Sequence, residues 1–205
     1  MQSTGAYTSS RGLQCIRQEV ADFIYKRDGY PTHIDNIFLT DGASTGVKQW
    51  LQALITSPND GIMCPIPQYP LYSAMLTLLN GHFIGYYMNE ESGWGLDIEN
   101  VRSVYQDAIN RGITVRAISI INPGNPTGQS LHIDDIVAIL HFAEEQDLLI
   151  LVDEVYQDNI YHNNQFISFR KVLKDMKLTV RILSDVGSLV VVVAAVVGSC
   201  THRKA

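Results

Sequence analysis

Residues 117–128 read AISIINPGNPTG, an apolar run followed at once by a loop of seven residues that contains two prolines and two glycines. The apolar run predicts a buried strand, and the prolines and glycines fix the path of the chain after it. The loop leaves the amide side chains of Asn122 and Asn125 available to point at a ligand. Because a generic turn seldom needs two Asn-Pro units in close succession, we interpret this loop as part of a binding site.

The sequence on both sides of this loop alternates apolar and amphipathic segments. The spacing of apolar residues predicts strands at 34–40, 62–66, 83–88, 115–121 and 148–152, and helices at 13–27, 45–55, 70–79, 96–111 and 133–146. Several of the strands are apolar throughout, which is typical of a mostly parallel sheet covered by helices on both faces. We therefore predict an α/β fold whose ligands bind beyond the carboxyl ends of the strands.

Small residues follow the predicted strand at 34–40. Asp41, Gly42, Ala43 and Ser44 lead directly into a helix. Backbone amides at the N-terminus of a helix can bind an anion, and phosphate is the natural candidate. A simple turn with a capping side chain is the alternative interpretation of the same residues.

Tyrosines follow the predicted strand at 62–66. Pro70 suits the first turn of a helix and fixes the direction of Tyr69. An aromatic ring held in this way could cover a planar ligand. The alternative is that Tyr69 and Tyr72 are aromatic residues at the edge of the core.

A carboxylate follows the predicted strand at 148–152. Asp153 lies at the tip of this buried strand, and the phenol of Tyr156 comes three residues later. Burial of the carboxylate would be costly unless a cation or a strong donor meets it. The alternative is that Asp153 caps a following helix.

Composition and charge exclude several classes of function. The formal net charge is −6, and no Lys and Arg cluster offers a surface to nucleic acid or to an anionic membrane. Three widely separated cysteines and six histidines show neither a disulfide framework nor the spacing of metal ligands. The apolar run 188–197 is about half the ~20 residues of a membrane-spanning helix, so it is too short for a membrane anchor, and as a strand it would be a fully buried one. Since the first residues contain no targeting segment, we predict an intracellular protein, cytoplasmic or mitochondrial.

Four motifs in order, each after a predicted strand, carry a family resemblance: DGAST, PIPQYPLYSA, INPGNPTGQ and VDEVYQDNIY. Together they resemble the class I pyridoxal-phosphate-dependent aminotransferases, and the first two motifs with ESGWGLD at 91–97 are most similar to the alanine aminotransferase type. The resemblance spans residues 3 to about 175. It implies the large domain of the aspartate aminotransferase-like fold, known as fold type I, with pyridoxal 5'-phosphate as cofactor.

The resemblance implies a role for each strand-end side chain. Asp153 would accept a hydrogen bond from the pyridinium nitrogen of the cofactor and keep that nitrogen protonated. Asn125 and Tyr156 would donate to the phenolic oxygen of the cofactor ring, and Tyr69 would stack on the ring face.

The resemblance also implies a phosphate site. Ala43 and Ser44 would bind the phosphate through backbone amides and the serine hydroxyl. A tyrosine of the neighbouring subunit completes this site in the family, and Tyr7 stands in the matching position. A homodimer is therefore expected. The implied reaction takes L-alanine and 2-oxoglutarate to pyruvate and L-glutamate.

The residues after 178 depart from the family pattern. We predict a partial large domain at 1–178 and a divergent apolar tail at 179–205. The Ser-x-x-Lys-Gly segment that supplies the Schiff-base lysine, and the small domain with its substrate-binding arginine, have no counterpart in the sequence. We therefore expect no catalytic lysine and an inactive chain. The alternatives are a non-catalytic fragment that pairs with full-length aminotransferase subunits, or a related lyase or synthase with the same cofactor.

Overall fold

One sheet organises the molecule in the computed structural model, which describes residues 8–161, 165–185 and 191–196. Within the described residues the sheet has eight strands: β1 (Ile37–Leu39), β2 (Asp60–Ile66), β3 (His82–Asn89), β4 (Gly95–Leu96), β5 (Thr114–Ile121), β6 (Leu149–Asp153), β7 (Arg181–Asp185) and β8 (Val191–Val196). The helices are α1 (Gln14–Asp28), α2 (Ala43–Leu54), α3 (Leu71–Leu78), α4 (Ile98–Asn110), α5 (Ile133–Glu145) and α6 (Phe169–Met176).

The strands lie in the order β1-β8-β7-β6-β5-β2-β3-β4. Strands β7, β6, β5, β2 and β3 run parallel to one another. Strand β8 is antiparallel to both β7 and β1, so β1 points in the same direction as the parallel group. The predicted mostly parallel α/β sheet is confirmed, and the carboxyl ends of β1, β2, β5 and β6 share one edge.

Helices cover both faces of the sheet, as predicted. Successive side chains of a strand point to opposite faces. In β2, Ile62 and Cys64 pack with α2 and α3, whereas Met63 packs into the larger core that includes buried residues of α4, α5 and α6. The same alternation places Leu151 of β6 on the first face and Val152 on the second. The core therefore has two layers, one on each side of the sheet.

Most predicted boundaries differ from the observed ones by one to three residues, and local side chains explain two of these shifts. The helix predicted from residue 96 begins at Ile98, since the Asp97 carboxylate accepts hydrogen bonds from the amides of Glu99 and Asn100 at 3.1 Å. The strand predicted at 34–40 is confined to Ile37–Leu39, since Ile34–Asn36 form a 3₁₀ turn in which the His33 side chain accepts from the Asp35 amide.

The sheet gains two strands after β6. Strand β7, which the sequence analysis did not predict, pairs in parallel with β6 from Ile150↔Ile182 to Asp153↔Asp185. The apolar run at 188–197 contains β8, which extends from Val191 to Val196. The division of the chain after residue 178 stays a prediction. No helix among the described residues is long and apolar enough to cross a membrane.

Candidate functional site

A cleft of about 180 Å³ opens at the carboxyl edge of the sheet. Its wall is formed by Ala43, Ser44, Val47, Tyr69, Leu71, Asn125, Asp153, Val155 and Tyr156. The structure thus brings together six candidate residues from the four strand-end motifs: Ala43, Ser44, Tyr69, Asn125, Asp153 and Tyr156. The seventh candidate, Tyr7, lies outside the described residues.

The N-terminus of α2 forms one side of the cleft. Gly42 precedes the helix with φ 83° and ψ 151°, a backbone conformation that is essentially restricted to glycine. The first amides of a helix have no acceptor within the helix and carry its positive dipole end. Ser44 does not cap the helix, because the N-cap is Gly42 and no side chain bonds there. The turn and N-cap of the alternative interpretation are therefore present, but glycine and not a serine side chain forms the cap, and Ala43 and Ser44 at the start of α2 line the cleft.

The two tyrosines of the PIPQYPLYSA motif lie in different environments. Pro70 is the N-cap of α3 with φ −62°, and the preceding Tyr69 is 39% exposed on the cleft wall. Tyr72 is fully buried beneath it. Tyr69 therefore presents its ring to the cleft, whereas Tyr72 belongs to the layer behind.

The NPGNPTG loop is held closed by its first asparagine. Asn122 is buried. Its backbone amide donates to the Asp153 carbonyl at 2.9 Å, and its side-chain Oδ1 accepts from the Leu131 backbone amide at 2.9 Å. The Asn122–Pro123 and Asn125–Pro126 peptide bonds are cis. Of the two amide side chains predicted to point at a ligand, only Asn125 lines the cleft, where its Nδ2 lies 3.4 Å from the Tyr156 hydroxyl.

Asp153 provides a buried carboxyl group at the cleft. It is the last residue of β6 and is 9% exposed, and its Oδ1 accepts from the Val155 amide at 3.2 Å. Burial raises the pKa of Asp153, while the Val155 amide and the Tyr72 hydroxyl act to lower it. The chain turns directly after Asp153 instead of entering a helix, so the alternative role as a helix cap is wrong. A protonated nitrogen donor would stabilise this carboxylate.

Several contributors to this region were missed in the sequence analysis. Val47, Leu71 and Val155 add apolar wall to the cleft. Val47 lies four residues after Ala43 in α2, so helical spacing alone could have identified it. No group of acidic, histidine or cysteine side chains in the described part of the chain could hold a metal ion.

Comparison with known proteins identifies the family. A model of the family "Aminotransferase class I and II" matches residues 1–195. The chain is 55% identical over 173 residues to glutamate–glyoxylate aminotransferase 2 of Arabidopsis thaliana, covering 84% of this chain and 36% of that protein. It is 51% identical over 176 residues to a probable mitochondrial alanine aminotransferase of Dictyostelium discoideum, covering 85% of this chain and 33% of that protein.

The solved structures agree with the fold. An alanine aminotransferase from Pyrococcus furiosus superimposes with a TM-score of 0.75 at 27% identity, covering 87% of this chain and 43% of that one. An aromatic aminotransferase from Pyrococcus horikoshii shares the fold with a TM-score of 0.78 at 24% identity. The chain spans about a third of the length of the curated relatives that it matches. By sequence and by fold, this chain belongs to the class I and II aminotransferases.

Proposed function

We propose that the cleft binds pyridoxal 5'-phosphate and that the chain is part of an aminotransferase acting on L-alanine and 2-oxoglutarate. The observation that carries the proposal is the convergence of six residues from four strand-end motifs around one cleft, with the buried carboxyl of Asp153 among them. When bound, this cofactor supplies a protonated ring that accepts electrons from the bond broken in the substrate.

The residues of the cleft fit the two ends of the cofactor. Burial raises the pKa of Asp153, which disfavours its ionised form. A cationic ring nitrogen beside the carboxyl group would stabilise that ionised form. The amides of Ala43 and Ser44 and the Ser44 hydroxyl would bind the phosphate at the N-terminus of α2. Tyr7 of a neighbouring subunit would complete this phosphate site in a homodimer.

The remaining wall would orient the ring between these ends. Tyr69 would cover one ring face, as an aromatic side chain does in an offset stack. Asn125 and Tyr156, whose side chains already lie within reach of each other, would donate to the phenolic oxygen of the ring. Each of these side chains would hold or orient the cofactor, and Asp153 would keep the ring nitrogen protonated.

Covalent attachment is not part of what we propose for these 205 residues. None of the described lysines lines the cleft. Lys171, which follows Ser168 by three residues, has Val172 after it in place of glycine and forms an ion pair with Asp175 at 3.3 Å on α6. We therefore expect reversible binding and no transamination by this chain alone. Pairing with full-length aminotransferase subunits is the state in which it would contribute to activity.

The names of the relatives support two pairs of substrates. Relatives named alanine aminotransferase favour L-alanine with 2-oxoglutarate. The 55% identity to a glutamate–glyoxylate aminotransferase favours a second candidate, in which glutamate is the amino donor and glyoxylate the acceptor. Some of these relatives are mitochondrial by name. We propose an intracellular location for this chain, in the cytoplasm or in mitochondria.

The test is a titration of the purified chain with pyridoxal 5'-phosphate and with pyridoxamine 5'-phosphate, which has the same ring and phosphate but needs no lysine. The proposal predicts saturable binding of both, at one site per chain, and no lysine adduct after borohydride reduction and peptide mapping. Absence of saturable binding of both ligands would contradict the proposed site. A reduced adduct on one lysine would contradict reversible binding.

A further inference from the structure

A network of buried charges lies directly behind the cleft. Glu154 is 0% exposed, Asp28 3% and Arg170 3%, and the partly buried Arg27 forms ion pairs with both Asp28 and Glu154. These side chains come from α1, from the turn after β6 and from α6. Buried charges are costly unless they are paired and hydrogen-bonded, and here each is.

Glu154 has both carboxylate oxygens occupied by three different segments. Its Oε1 accepts from the amide of Phe169 at 2.9 Å, in the first turn of α6. Its Oε2 accepts from the Ser184 hydroxyl of β7 at 3.1 Å and from Arg27 Nη1 at 3.4 Å. The Glu154 side chain is therefore fixed from three directions.

Asp28 forms the other half of the network, without a direct hydrogen bond to Glu154. Its carboxylate accepts from Arg27 at 2.7 and 3.0 Å, from the Ser168 hydroxyl at 2.8 Å and from Arg170 Nη1 at 3.2 Å. This half fastens the end of α1 to the beginning of α6. A substitution of Asp28 would therefore weaken the network at a point away from the cleft, for comparison with a substitution of Glu154.

The position of Glu154 connects this network to the cleft. Side chains alternate along β6, with Leu151 on the α2 and α3 face and Val152 on the opposite face. Glu154 lies between Asp153 and Val155, and these two neighbours line the cleft and share the 3.2 Å bond from the Val155 amide to Asp153 Oδ1. Fixing the side chain of the middle residue therefore fixes the peptide planes on both sides of it.

We propose that Glu154 is a positioning residue for Asp153, anchored by Arg27, Ser184 and the start of α6 so that the Asp153 carboxyl points at the ring nitrogen of the bound cofactor. The inference rests on the proposed function. Buried ion pairs often add little stability over apolar side chains of the same size, and in some proteins they select one conformation instead. The experiment therefore has to report on the orientation of the Asp153 carboxyl group and not only on fold stability.

The experiment uses pyridoxamine 5'-phosphate with an isotopically labelled ring nitrogen, bound to the whole chain, and follows the protonation of that nitrogen by NMR as the pH is varied. In Glu154→Gln the proton affinity of the ring nitrogen falls by about tenfold. Ser184→Ala, which removes one anchor without changing any charge, lowers it by about threefold. Asp28→Asn is the matched control, and it leaves the ring nitrogen as in the wild type while lowering the unfolding temperature.

The three variants separate orientation from charge and from fold stability. An unchanged ring nitrogen in Ser184→Ala would overturn the inference, since the effect of Glu154→Gln would then be one of charge. An equal shift in Asp28→Asn would also overturn it, because general loosening would explain both. If Glu154→Gln does not fold, Ser184→Ala decides the result. Failure of the wild type to bind the ligand would instead contradict the proposed function.

Discussion

The side-chain amide of Asn125 lies 3.4 Å from the hydroxyl of Tyr156, although the two residues belong to loops that follow different strands. The backbone amide of Asn122 donates to the backbone carbonyl of Asp153 at 2.9 Å and so connects the starts of these two loops. The pair is therefore positioned by backbone contacts below it, and both donors face the same cleft.

The first prediction concerns this pair. Tyr156→Phe removes one donor, and Asn125→Ala removes the other, so each is expected to weaken binding of pyridoxamine 5'-phosphate about tenfold. Because the two groups serve one oxygen, the double variant should lose less than the product of the single effects. Calorimetric titration of the three variants checks this. Strictly multiplicative losses would show that the two side chains act at separate places.

The second prediction concerns the entry into α2. Gly42 has a backbone conformation that costs other residues about 1–3 kcal/mol. Gly42→Ala is therefore expected to lower stability and to weaken phosphate-dependent binding by tilting the helix N-terminus. Gly29→Ala is the matched control, since Gly29 also has a positive φ of 79° but ends α1. Equal loss of ligand affinity in both variants would contradict a phosphate site at α2.

The third prediction concerns the ring face. Tyr69→Ala should weaken binding of pyridoxal 5'-phosphate and pyridoxamine 5'-phosphate about three- to tenfold, whereas Tyr69→Phe should retain most of the affinity, because stacking needs the ring and not the hydroxyl. Tyr87, an exposed tyrosine of β3, provides the control through Tyr87→Ala. If Tyr69→Phe lost as much affinity as Tyr69→Ala, the hydroxyl and not the ring face would be the contact.

The fourth prediction concerns stability at acid pH. The buried Asp60 carboxylate accepts from Arg116 at 2.7 Å, from the Thr56 amide and hydroxyl at 2.9 and 3.0 Å, and from the Ser57 amide at 2.8 Å. Although burial opposes them, these bonds lower the pKa of Asp60. A lowered folded-state pKa adds stability above the unfolded pKa, and this stability is lost as the pH falls through the folded value.

Asp60→Asn should therefore lower the free energy of unfolding at neutral pH by about 1–2 kcal/mol, because the amides of Thr56 and Ser57 lose a charged acceptor and the partly exposed Arg116 loses its ion-pair partner. The difference from the wild type should shrink below about pH 4. Denaturant unfolding at both pH values measures this, with the exposed Asp107→Asn as control. A difference that is independent of pH would contradict the role of the ionised carboxylate.

The sequence predicted the parts of the site that are encoded locally. An apolar run that ends in one acid identified the end of β6 and Asp153, and two Asn-Pro units identified the loop that carries Asn125. The run of small residues around Gly42 predicted the turn before α2, and in the structure Gly42 is the N-cap from which this helix starts beside the cleft.

The parts that were missed depend on contacts between distant segments. Arg181 and Ser184 interrupt the apolar pattern of β7, so its place beside β6 follows from pairing and not from its own sequence. The charged partner of Glu154 is Arg27, 127 positions earlier in the chain. No local spacing indicates such a pair, because the fold alone brings α1 behind the cleft.

The affinity of pyridoxamine 5'-phosphate for Asp153→Asn, compared with the wild type and with Asp158→Asn, tests the central claim most directly. Asp158 is an exposed acid five positions further along the chain. If the buried Asp153 carboxyl meets the ring nitrogen, saturable binding in the wild type and in Asp158→Asn should weaken at least about tenfold in Asp153→Asn. Equal affinity in all three proteins, or no binding in any, would contradict the account.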